Sequence, residues 1–380
     1  MSEIARAPKG PLSDTLVIAI EQAVAAPLCT VRLADAGARV IKIERPDGET
    51  ARHYDTTVEG MSAYFVWLNR GKESAALDLK SKEDLALLHC MVEKADVLVQ
   101  NLAPGAIDRL GLSRDVLAAR FPRLISVHIV GYGQDTSYAD MRAYDMLVQA
   151  ESGVCAVTGS PDAPAKVGVS VADIATGMNA HAAVLEALLQ RQKTGRGQAI
   201  EIAMFDGMAD WMAVPLLHHE HGRETRRYGL AHASIYPYRP YVCGCGGVVI
   251  VAIQQASEWS RFCSEVLQRK DLFTDERFVT NAWRVANREA LDAEIEPIFA
   301  ALDREEAIRR LNASQIAWGK LTEVRELGAH AALRRMPVRL PNGSEVLVPR
   351  PAGRPQPSGE PPSVPARGSH TSRIRLEFTT

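Results

Sequence analysis

The hydrophobic positions in the first 200 residues follow two alternating spacings. Short runs rich in β-branched and apolar residues are typical of buried strands and lie at 16–20, 39–43, 97–100 and 124–130. Longer stretches with apolar residues at helical spacing include 27–36 and 178–192. This alternation predicts an α/β fold with a doubly wound parallel sheet, in which ligands bind beyond the carboxyl ends of the strands.

The pattern changes after about residue 205. Residues 241–253 have the pattern of a hairpin with a glycine-rich turn, and helical spacings continue to about residue 312. A second hairpin is predicted around Pro341-Asn342-Gly343, and a proline-rich stretch follows it. We therefore predict a large domain (1–205), a linker (206–228) and a smaller α+β domain (229–320). A return linker with a C-terminal segment that packs on the large domain (321–380) completes the chain.

Composition excludes several classes of protein. The chain has 380 residues, of which 46% are hydrophobic and 24% charged, so it is long enough for two or three packed domains. Its 44 basic and 46 acidic residues give a net charge of -2, which provides no overall attraction to nucleic acid. No apolar run approaches the roughly 20 residues that span a bilayer. The six scattered cysteines and the lack of a signal-peptide pattern predict a reducing, cytoplasmic location.

Metal and dinucleotide motifs are incomplete. Cys243 and Cys245 have no second cysteine pair at a spacing that suits structural zinc. Gly131-Tyr132-Gly133 follows a predicted strand but lacks the third glycine of a dinucleotide-binding turn. We therefore predict no metal site, and a nicotinamide-dependent enzyme is disfavoured.

Asp173 stands immediately before the long predicted helix, which is expected to begin near Ile174. An aspartate in that position is most often an N-cap, and that interpretation is the simpler one. The alternative is catalytic, because the helix dipole favours an ionised carboxylate, and an ionised carboxylate can act as a nucleophile. The residue alone does not decide between the two.

Five sequence blocks in order make the chain resemble a known family. They are NRGKES running to LDLK (69–80), NLAPG with DRLG (101–111), RAYD (142–145), VADIATG (171–177) and KTGRGQ (193–198). Together they resemble the class III, or CaiB/BaiF-type, CoA-transferases, which include formyl-CoA transferase, succinyl-CoA:dicarboxylate CoA-transferases and the divergent α-methylacyl-CoA racemases. The resemblance extends from about residue 10 to residue 371.

The resemblance implies an interlocked homodimer that uses CoA thioesters as substrates and holds no permanently bound cofactor. It assigns the nucleophile to Asp173. Residues expected to contact CoA are Arg45 and Arg109 at its phosphates, Arg142 as a further basic residue of the CoA site, Leu77 and Asn101 at its adenosine, and Val24, Tyr144 and Met204 at the thioester. In the implied reaction, Asp173 attacks the donor thioester to form a mixed anhydride, and CoA thiolate converts this into an aspartyl-CoA thioester. An acceptor carboxylate then reverses both steps.

Departures from the family pattern bear on the substrate. Val24 replaces a glutamine of formyl-CoA transferase, which argues against oxalate and formate, whereas segment 229–238 with His232 resembles members that use succinyl-CoA and small dicarboxylates. We therefore expect CoA transfer from a donor such as succinyl-CoA to a small carboxylate, most simply a dicarboxylate. The alternatives are a 2-methylacyl-CoA racemase and a non-catalytic CoA-binding homologue. Tyr144 disfavours the racemase because it occupies the position of a histidine, and tyrosine is a poor proton shuttle at neutral pH.

Overall fold

The computed structural model describes residues 10–356 and 359–379, and it divides the chain into two compact units. The first unit contains the chain up to Cys155, then Lys166–Leu217, and the chain from Arg334 onward. The second contains Ala156–Ala165 and His218–Leu333. The segment predicted as a linker, 206–228, is thus divided between the units after Leu217.

Thirteen strands are assigned in the described residues. In chain order they are β1 (Leu16–Ile20), β2 (Arg39–Glu44), β3 (Lys72–Ala76), β4 (Val97–Gln100), β5 (Ile125–Val130), β6 (Gly159–Ser160), β7 (Ala163–Pro164), β8 (Ala199–Ala203), β9 (Tyr238–Val242), β10 (Val248–Ala252), β11 (Ala317–Lys320), β12 (Arg335–Arg339) and β13 (Glu345–Pro349).

The helices connect and cover these strands. They are α1 (Ala25–Asp35), α2 (Ala63–Asn69), α3 (Lys82–Lys94), α4 (Ala106–Arg109), α5 (Arg114–Arg120), α6 (Asp145–Glu151), α7 (Val154–Val157), α8 (Val171–Thr194), α9 (Met204–Trp211), α10 (Ala213–Glu220), α11 (Ala256–Arg261), α12 (Asp271–Thr274), α13 (Asn281–Ala286), α14 (Arg288–Ala300), α15 (Arg304–Ala313), α16 (Val324–Leu327) and α17 (Thr371–Thr379). A 3₁₀ helix spans Thr50–His53, and a π-helical turn spans Phe262–Val266.

The first unit is built on a six-stranded sheet in the order β3-β2-β1-β4-β5-β8, with every pair parallel. The chain runs outward from β1 on one side and from β4 on the other. This confirms the predicted parallel α/β sheet and places its topological switch point between β1 and β4, where ligands of such sheets bind.

Apolar residues of both faces of the sheet are buried. In β1, Val17 and Ala19 belong to the core cluster that α1 and α8 cover, whereas Ile18 and Ile20 belong to the cluster covered by α3 and α17. Because successive side chains of a strand point to opposite faces, a strand buried on both sides is apolar throughout, as the LVIAI sequence of β1 is.

The second unit has a separate core under the antiparallel sheet β11-β10-β9. Trp259, Phe262 and Phe299 are completely buried there, together with apolar residues of α14 and α15. Throughout the described ranges, no helix is both long enough and apolar enough to cross a lipid bilayer.

Candidate active site

The predicted site residues of the first unit follow the carboxyl ends of the parallel strands. Because parallel strands all end at one edge of a sheet, the segments after them share that edge. The residues lie after β1 (Val24), β2 (Arg45), β3 (Leu77), β4 (Asn101 and Arg109), β5 (Arg142 and Tyr144) and β8 (Met204).

Asp173 is the third residue of α8, and it is half-buried. The helix begins at Val171 with Ser170 as the N-cap residue, and the Ser170 side chain makes no capping hydrogen bond. The interpretation of Asp173 as the N-cap is therefore wrong. The cap is supplied by Asp145, whose Oδ1 accepts hydrogen bonds from the backbone N–H groups of Ala172 at 2.8 Å and Asp173 at 3.4 Å.

Gln149 fixes the other oxygen of Asp145. The Gln149 side chain is completely buried, and its Nε2 donates to Asp145 Oδ2 at 2.7 Å. Its Oε1 accepts from the backbone N–H of Val167 at 2.9 Å. The carboxylate of Asp145 therefore has a fixed orientation against the first turn of α8, and it was not among the residues to which the sequence assigned a role.

Two acidic groups lie close together at this helix start. Burial, and then the negative charge of Asp145, raise the pKa of Asp173 to about 7. A location in the first turn of a helix would by itself favour the anion, so burial and the second carboxylate outweigh the helix dipole here. At neutral pH Asp173 is consequently divided between its protonated form and its ionised form.

The turn between β1 and α1 lies beside this helix start. Ile174 packs against the apolar cluster that contains Val24 and Leu28, and Val24 is the N-cap residue of α1. Ala23 has a positive φ of 62°, a conformation that costs energy for a residue with a side chain. Its N–H donates to Glu49 Oε2 at 2.9 Å, and this bond holds the strained turn in place.

A buried group of charges lies under the turn. Lys72 Nζ is 2.7 Å from Glu21 Oε1, and Lys42 Nζ is 3.0 Å from Glu49 Oε1, with the side chains of Glu21 and both lysines completely buried. Burial opposes the ionisation of Glu21, but Lys72 and Lys42 together lower its pKa. We call Glu21, Lys42, Glu49 and Lys72 the buried ion cluster. The sequence signal for it is a lysine between the apolar residues Ile41 and Ile43 in the middle of β2.

Asn101 also holds this turn. Its Oδ1 accepts from the backbone N–H of Gln22 and its Nδ2 donates to the Gln22 carbonyl, both at 2.9 Å. Leu77, the other residue expected at the adenosine, is only 1% exposed and belongs to the apolar core, so a ligand at this edge can meet its backbone but not its side chain.

The three arginines expected in the CoA site are all exposed. Arg45 follows β2, and its Nε lies 3.4 Å from Asp47 Oδ1 and from the Gly48 carbonyl oxygen. Arg109 is the last residue of α4. Arg142 lies in the loop before α6 and makes no ion pair with any residue in the described part of the chain. All three are therefore accessible to an anionic ligand at this edge of the sheet.

The residues expected near the thioester differ in exposure. Tyr144 is 70% exposed as the N-cap residue of α6, whereas Met204 is 7% exposed and packs beneath the start of α8. Tyr54 was not among the predicted site residues. Burial and the nearby charges of Glu49 and Asp173 raise the pKa of its phenol. A phenol group thus lies near the Asp173 carboxylate.

Metal ligands do not assemble in the described ranges, where no group of three or more His, Cys, Asp or Glu side chains is placed to hold an ion. Of the two hairpin cysteines, Cys243 is buried and Cys245 is exposed.

Comparison with known proteins agrees with this geometry. The sequence profile of CoA-transferase family III matches residues 12–371. Acetyl-CoA:oxalate CoA-transferase of Acetobacter aceti is 34% identical, over 98% of this chain and 96% of its own length. Succinate–glutarate CoA-transferase of Agrobacterium fabrum is 33% identical, over 87% of this chain and 85% of its own.

Among solved structures, a CaiB/BaiF family protein from Brucella suis is similar with a TM-score of 0.80 and 33% identity, over 98% of this chain and all of its own. Rv3272 from Mycobacterium tuberculosis is similar with a TM-score of 0.85 and 27% identity, over 97% of this chain and all of its own. The parallel sheet, the acidic helix start and these matches together show that the chain belongs to CoA-transferase family III and is a CoA-transferase.

Proposed function

We propose that this enzyme transfers CoA from a donor acyl-CoA, with succinyl-CoA as the first candidate, to a small dicarboxylate, and that Asp173 is the nucleophile. The observation that carries the proposal is the half-buried Asp173 carboxylate, held beside Asp145 at the edge of the sheet where Arg45, Arg109 and Arg142 are exposed.

The reaction is an exchange of acyl bonds. An oxygen of ionised Asp173 attacks the carbonyl carbon of the donor thioester, the C–S bond breaks, and CoA leaves as a thiolate. The thiolate attacks the Asp173 carbonyl carbon of the mixed anhydride, and the donor acid leaves as a carboxylate. The acceptor carboxylate then attacks the aspartyl-CoA thioester, and the released thiolate attacks the acceptor carbonyl. Acceptor-CoA and ionised Asp173 are the products.

The environment of Asp173 favours the acylated states. The ionised side chain is destabilised by burial and by the charge of Asp145, whereas the anhydride and the thioester of Asp173 carry no charge there. Each acylation therefore relieves an unfavourable interaction in the free enzyme. The same pair also limits the ionised fraction near pH 7, so the rate of the first step should rise with pH in this range.

The three arginines and the nearby turn fit the recognition of CoA. Guanidinium groups are suited to phosphate because they donate in pairs. We assign Arg45, Arg109 and Arg142 to the phosphates, and the segments after β3 and β4, with Leu77 and Asn101, to the adenosine. Val24, Tyr144 and Met204 are assigned to the thioester end, beside Asp173. The support for these assignments is their common position at one edge of the sheet.

We also propose a homodimer. Helix α10 buries none of its eight residues in the single chain. Its apolar residues Val214, Leu216 and Leu217 are each more than half exposed. Trp211, at the end of α9, is 54% exposed as well. A second copy of the chain would cover this apolar surface, in keeping with the dimer expected from the family resemblance. Sedimentation at micromolar concentration should show a dimer, and a stable, active monomer would contradict it.

The function is tested with a matrix of donors and acceptors. Succinyl-CoA and acetyl-CoA are offered with glutarate, mesaconate, itaconate and oxalate, and new CoA esters are identified by mass spectrometry. Oxalate is included because one relative is named for it. Transfer to a dicarboxylate with succinyl-CoA is expected, and a complete absence of transfer from both donors would refute the proposal.

The nucleophile is tested by substitution and trapping. Asp173→Asn should abolish transfer, and hydroxylamine should mark Asp173 in the wild-type enzyme only when acyl-CoA is present. Glu186→Gln is the matched control, because Glu186 is an exposed acid on the same helix. Wild-type activity in Asp173→Asn would refute the assignment.

A further inference from the structure

A row of polar side chains lies in the core of the first unit, which also contains Asp173. Gln100, the last residue of β4, is paired with His128 of β5 in the register of the two parallel strands. Ser126 lies two residues before His128 and on the same face of the sheet. All three residues are at most 3% exposed. Buried polar groups are costly unless they are hydrogen-bonded, so their partners indicate what this row does.

The contacts of the row fix the orientation of the Gln100 amide. A backbone N–H can only donate, so Gln100 Oε1 must face the N–H of Leu102, which is 2.8 Å away. Gln100 Nε2 then faces His128 Nδ1 at 3.2 Å, and this ring nitrogen must accept. The proton of the neutral ring is therefore on Nε2, which donates to Ser126 Oγ at 3.2 Å.

The surroundings of His128 favour the neutral ring. Burial, and then the positive charge of Arg114, lower its pKa to about 4. Glu201, paired with His128 in the register of β8, is itself bound to Arg114 at 2.9 Å. A protonated ring would present an N–H to the NH2 group of Gln100, and both groups would be donors. We call Ser126, His128 and Gln100 the His128 network.

Leu102 begins an exposed loop that has few hydrogen bonds of its own. Within the described ranges, the bond to Gln100 is the only one that the Leu102 N–H makes. The N–H groups of Ala103 and Gly105 make none with described residues. Residues 103–105 are exposed. The conformation of the loop therefore depends on Gln100, and two of its backbone donors are free for a ligand.

The loop lies beside two residues already assigned to CoA. A Cβ atom at Gly105 would be 3.3 Å from Arg109 Nη1, so the guanidinium lies against the loop backbone. Asn101, immediately before the loop, holds the backbone of Gln22 through both ends of its amide, at 2.9 Å. Arg109 is the residue proposed for a phosphate and Asn101 for the adenosine. On that assignment, the loop lies at the nucleotide end of CoA.

We infer that His128 is a positioning residue for CoA binding. By accepting from Gln100, it holds the Gln100 amide, and through it the loop 102–105, in the conformation that receives the nucleotide end of CoA. The inference rests on the proposed function, because it depends on the assignment of Asn101 and Arg109 to that end. His128 is too deeply buried to contact the ligand itself, so it acts through the loop.

A matched pair of variants isolates the acceptor at this position. Asparagine and leucine have the same branched shape, but only asparagine has an oxygen where His128 has Nδ1. The full-length proteins are titrated with CoA by calorimetry. His128→Leu should weaken CoA binding about tenfold, because it leaves Gln100 Nε2 buried without a partner. His128→Asn should bind CoA within about threefold of the wild type.

Steady-state kinetics distinguish positioning from a general structural role. With succinyl-CoA, His128→Leu should raise KM about tenfold and leave kcat within about twofold of the wild type. The kcat is retained because Asn101 keeps its bonds to Gln22, which hold the turn that carries Val24. Adenosine 3′,5′-bisphosphate contains the nucleotide end of CoA without its thiol arm. It should inhibit the wild type and lose about tenfold in affinity for His128→Leu.

Val127→Ala is the control for loss of stability. Val127 precedes His128 on β5, is completely buried, and points to the opposite face of the sheet. The substitution leaves a cavity in the core but removes no bond of the His128 network. Its CoA affinity should equal that of the wild type. If His128→Leu does not fold, Gln100→Leu replaces it with the same expected loss, because it removes the acceptor of the Leu102 N–H.

Four results would overturn this role. The first is equal CoA affinity in His128→Leu and the wild type. The second is a loss in His128→Asn or Val127→Ala as large as that in His128→Leu. The third is a fall in kcat of His128→Leu with KM unchanged, and the fourth is no inhibition of the wild type by adenosine 3′,5′-bisphosphate.

Two combinations of results separate the positioning role from the proposed function. If the wild type binds CoA through this network but transfers it to no dicarboxylate, the role of His128 stands and the function fails. If the wild type transfers CoA, and both the KM and the CoA affinity are unchanged in His128→Leu, the function stands and the role of His128 is overturned.

Discussion

Asp145 caps the helix that carries Asp173 and, through the same carboxylate, raises the pKa of Asp173. The cap requires the Asp145 oxygen to face the N–H groups of Ala172 and Asp173, which places its negative charge beside the Asp173 side chain. One residue therefore sets both the position of the proposed nucleophile and its protonation. A neutral cap such as serine would provide the first effect without the second.

The substitution Asp145→Asn should shift the pH dependence of the reaction. The amide oxygen of the new side chain can still accept from Ala172, but the negative charge is gone, so the pKa of Asp173 should fall below its value of about 7. The acid limb of kcat/KM, which follows the ionised fraction of Asp173, should move to lower pH. An acid limb at the wild-type position would contradict the assignment of this limb to Asp173.

The raised pKa of Asp173 also predicts how stability depends on pH. The folded-state pKa of about 7 lies above the ordinary value of 3.8, so the unfolded chain ionises first as the pH rises. This group therefore lowers the free energy of unfolding progressively between about pH 4 and pH 7, after which its effect is constant. Relative to Asp173→Asn, the wild type should lose stability over that interval in urea titrations at several pH values. A difference that does not vary with pH would rule out the raised pKa.

The sheet was largely predictable because its central strands are apolar on both faces. Residues 16–20 and 97–100 were predicted as strands with the bounds that β1 and β4 have. The edge strands β3 (KESAA) and β8 (AIEIA) were not identified, because each has fewer large apolar residues than the central strands. The charge of Lys72 is balanced inside the buried ion cluster, and the charge of Glu201 is balanced by Arg114. These partners come from distant parts of the chain, so local spacing does not reveal them.

The candidate site was less predictable than the sheet. The resemblance to a family drew attention to Asp173, but the cap on its helix comes from a residue 28 positions earlier in the chain. No local pattern encodes that pairing. The interpretation of Asp173 as an N-cap failed for the same reason, since local spacing cannot show that another carboxylate already occupies the capping position.

The buried ion cluster should be sensitive to loss of a single charge. Glu49→Gln keeps an oxygen that can accept from Ala23 but leaves Lys42 with one fewer counter-charge in a fully buried position. Breaking a buried ion pair in this way costs about 3 kcal/mol. We expect that loss of unfolding free energy in urea, together with lower transfer activity, because the buried ion cluster beneath the turn that carries Val24 would be left with an uncompensated lysine charge.

The control for the cluster is Glu73→Gln. Glu73 pairs with Arg39 at 3.0 Å in a partly exposed position, and pairs of that kind contribute less than about 1 kcal/mol. Both substitutions remove one negative charge, from the segment after β2 in Glu49→Gln and from strand β3 in Glu73→Gln. Equal losses of stability in the two variants would show that the cluster has no special role.

Gly177 sets the distance between α1 and α8 and hence the position of Asp173 relative to Val24. A Cβ atom at Gly177 would lie 2.5 Å from the carbonyl oxygen of Ala25 and 2.8 Å from Leu28 Cβ, so the two helices would have to separate. Gly177→Ala should cost about 1–3 kcal/mol, the usual effect of overpacking. It should also lower kcat. Helix α1 begins at the Val24 turn, and α8 begins three residues before Ile174, which packs against the cluster that contains Val24, so separating the helices would disturb this contact.

Gly207→Ala in α9 is the control. The nearest atom to its Cβ is the amide nitrogen of Asn179 at 3.2 Å, which is the end of a side chain that can move aside. Unfolding in urea and steady-state kinetics measure both effects, and a Gly177→Ala enzyme as stable and active as Gly207→Ala would show that close contact of these helices is not needed to align the site.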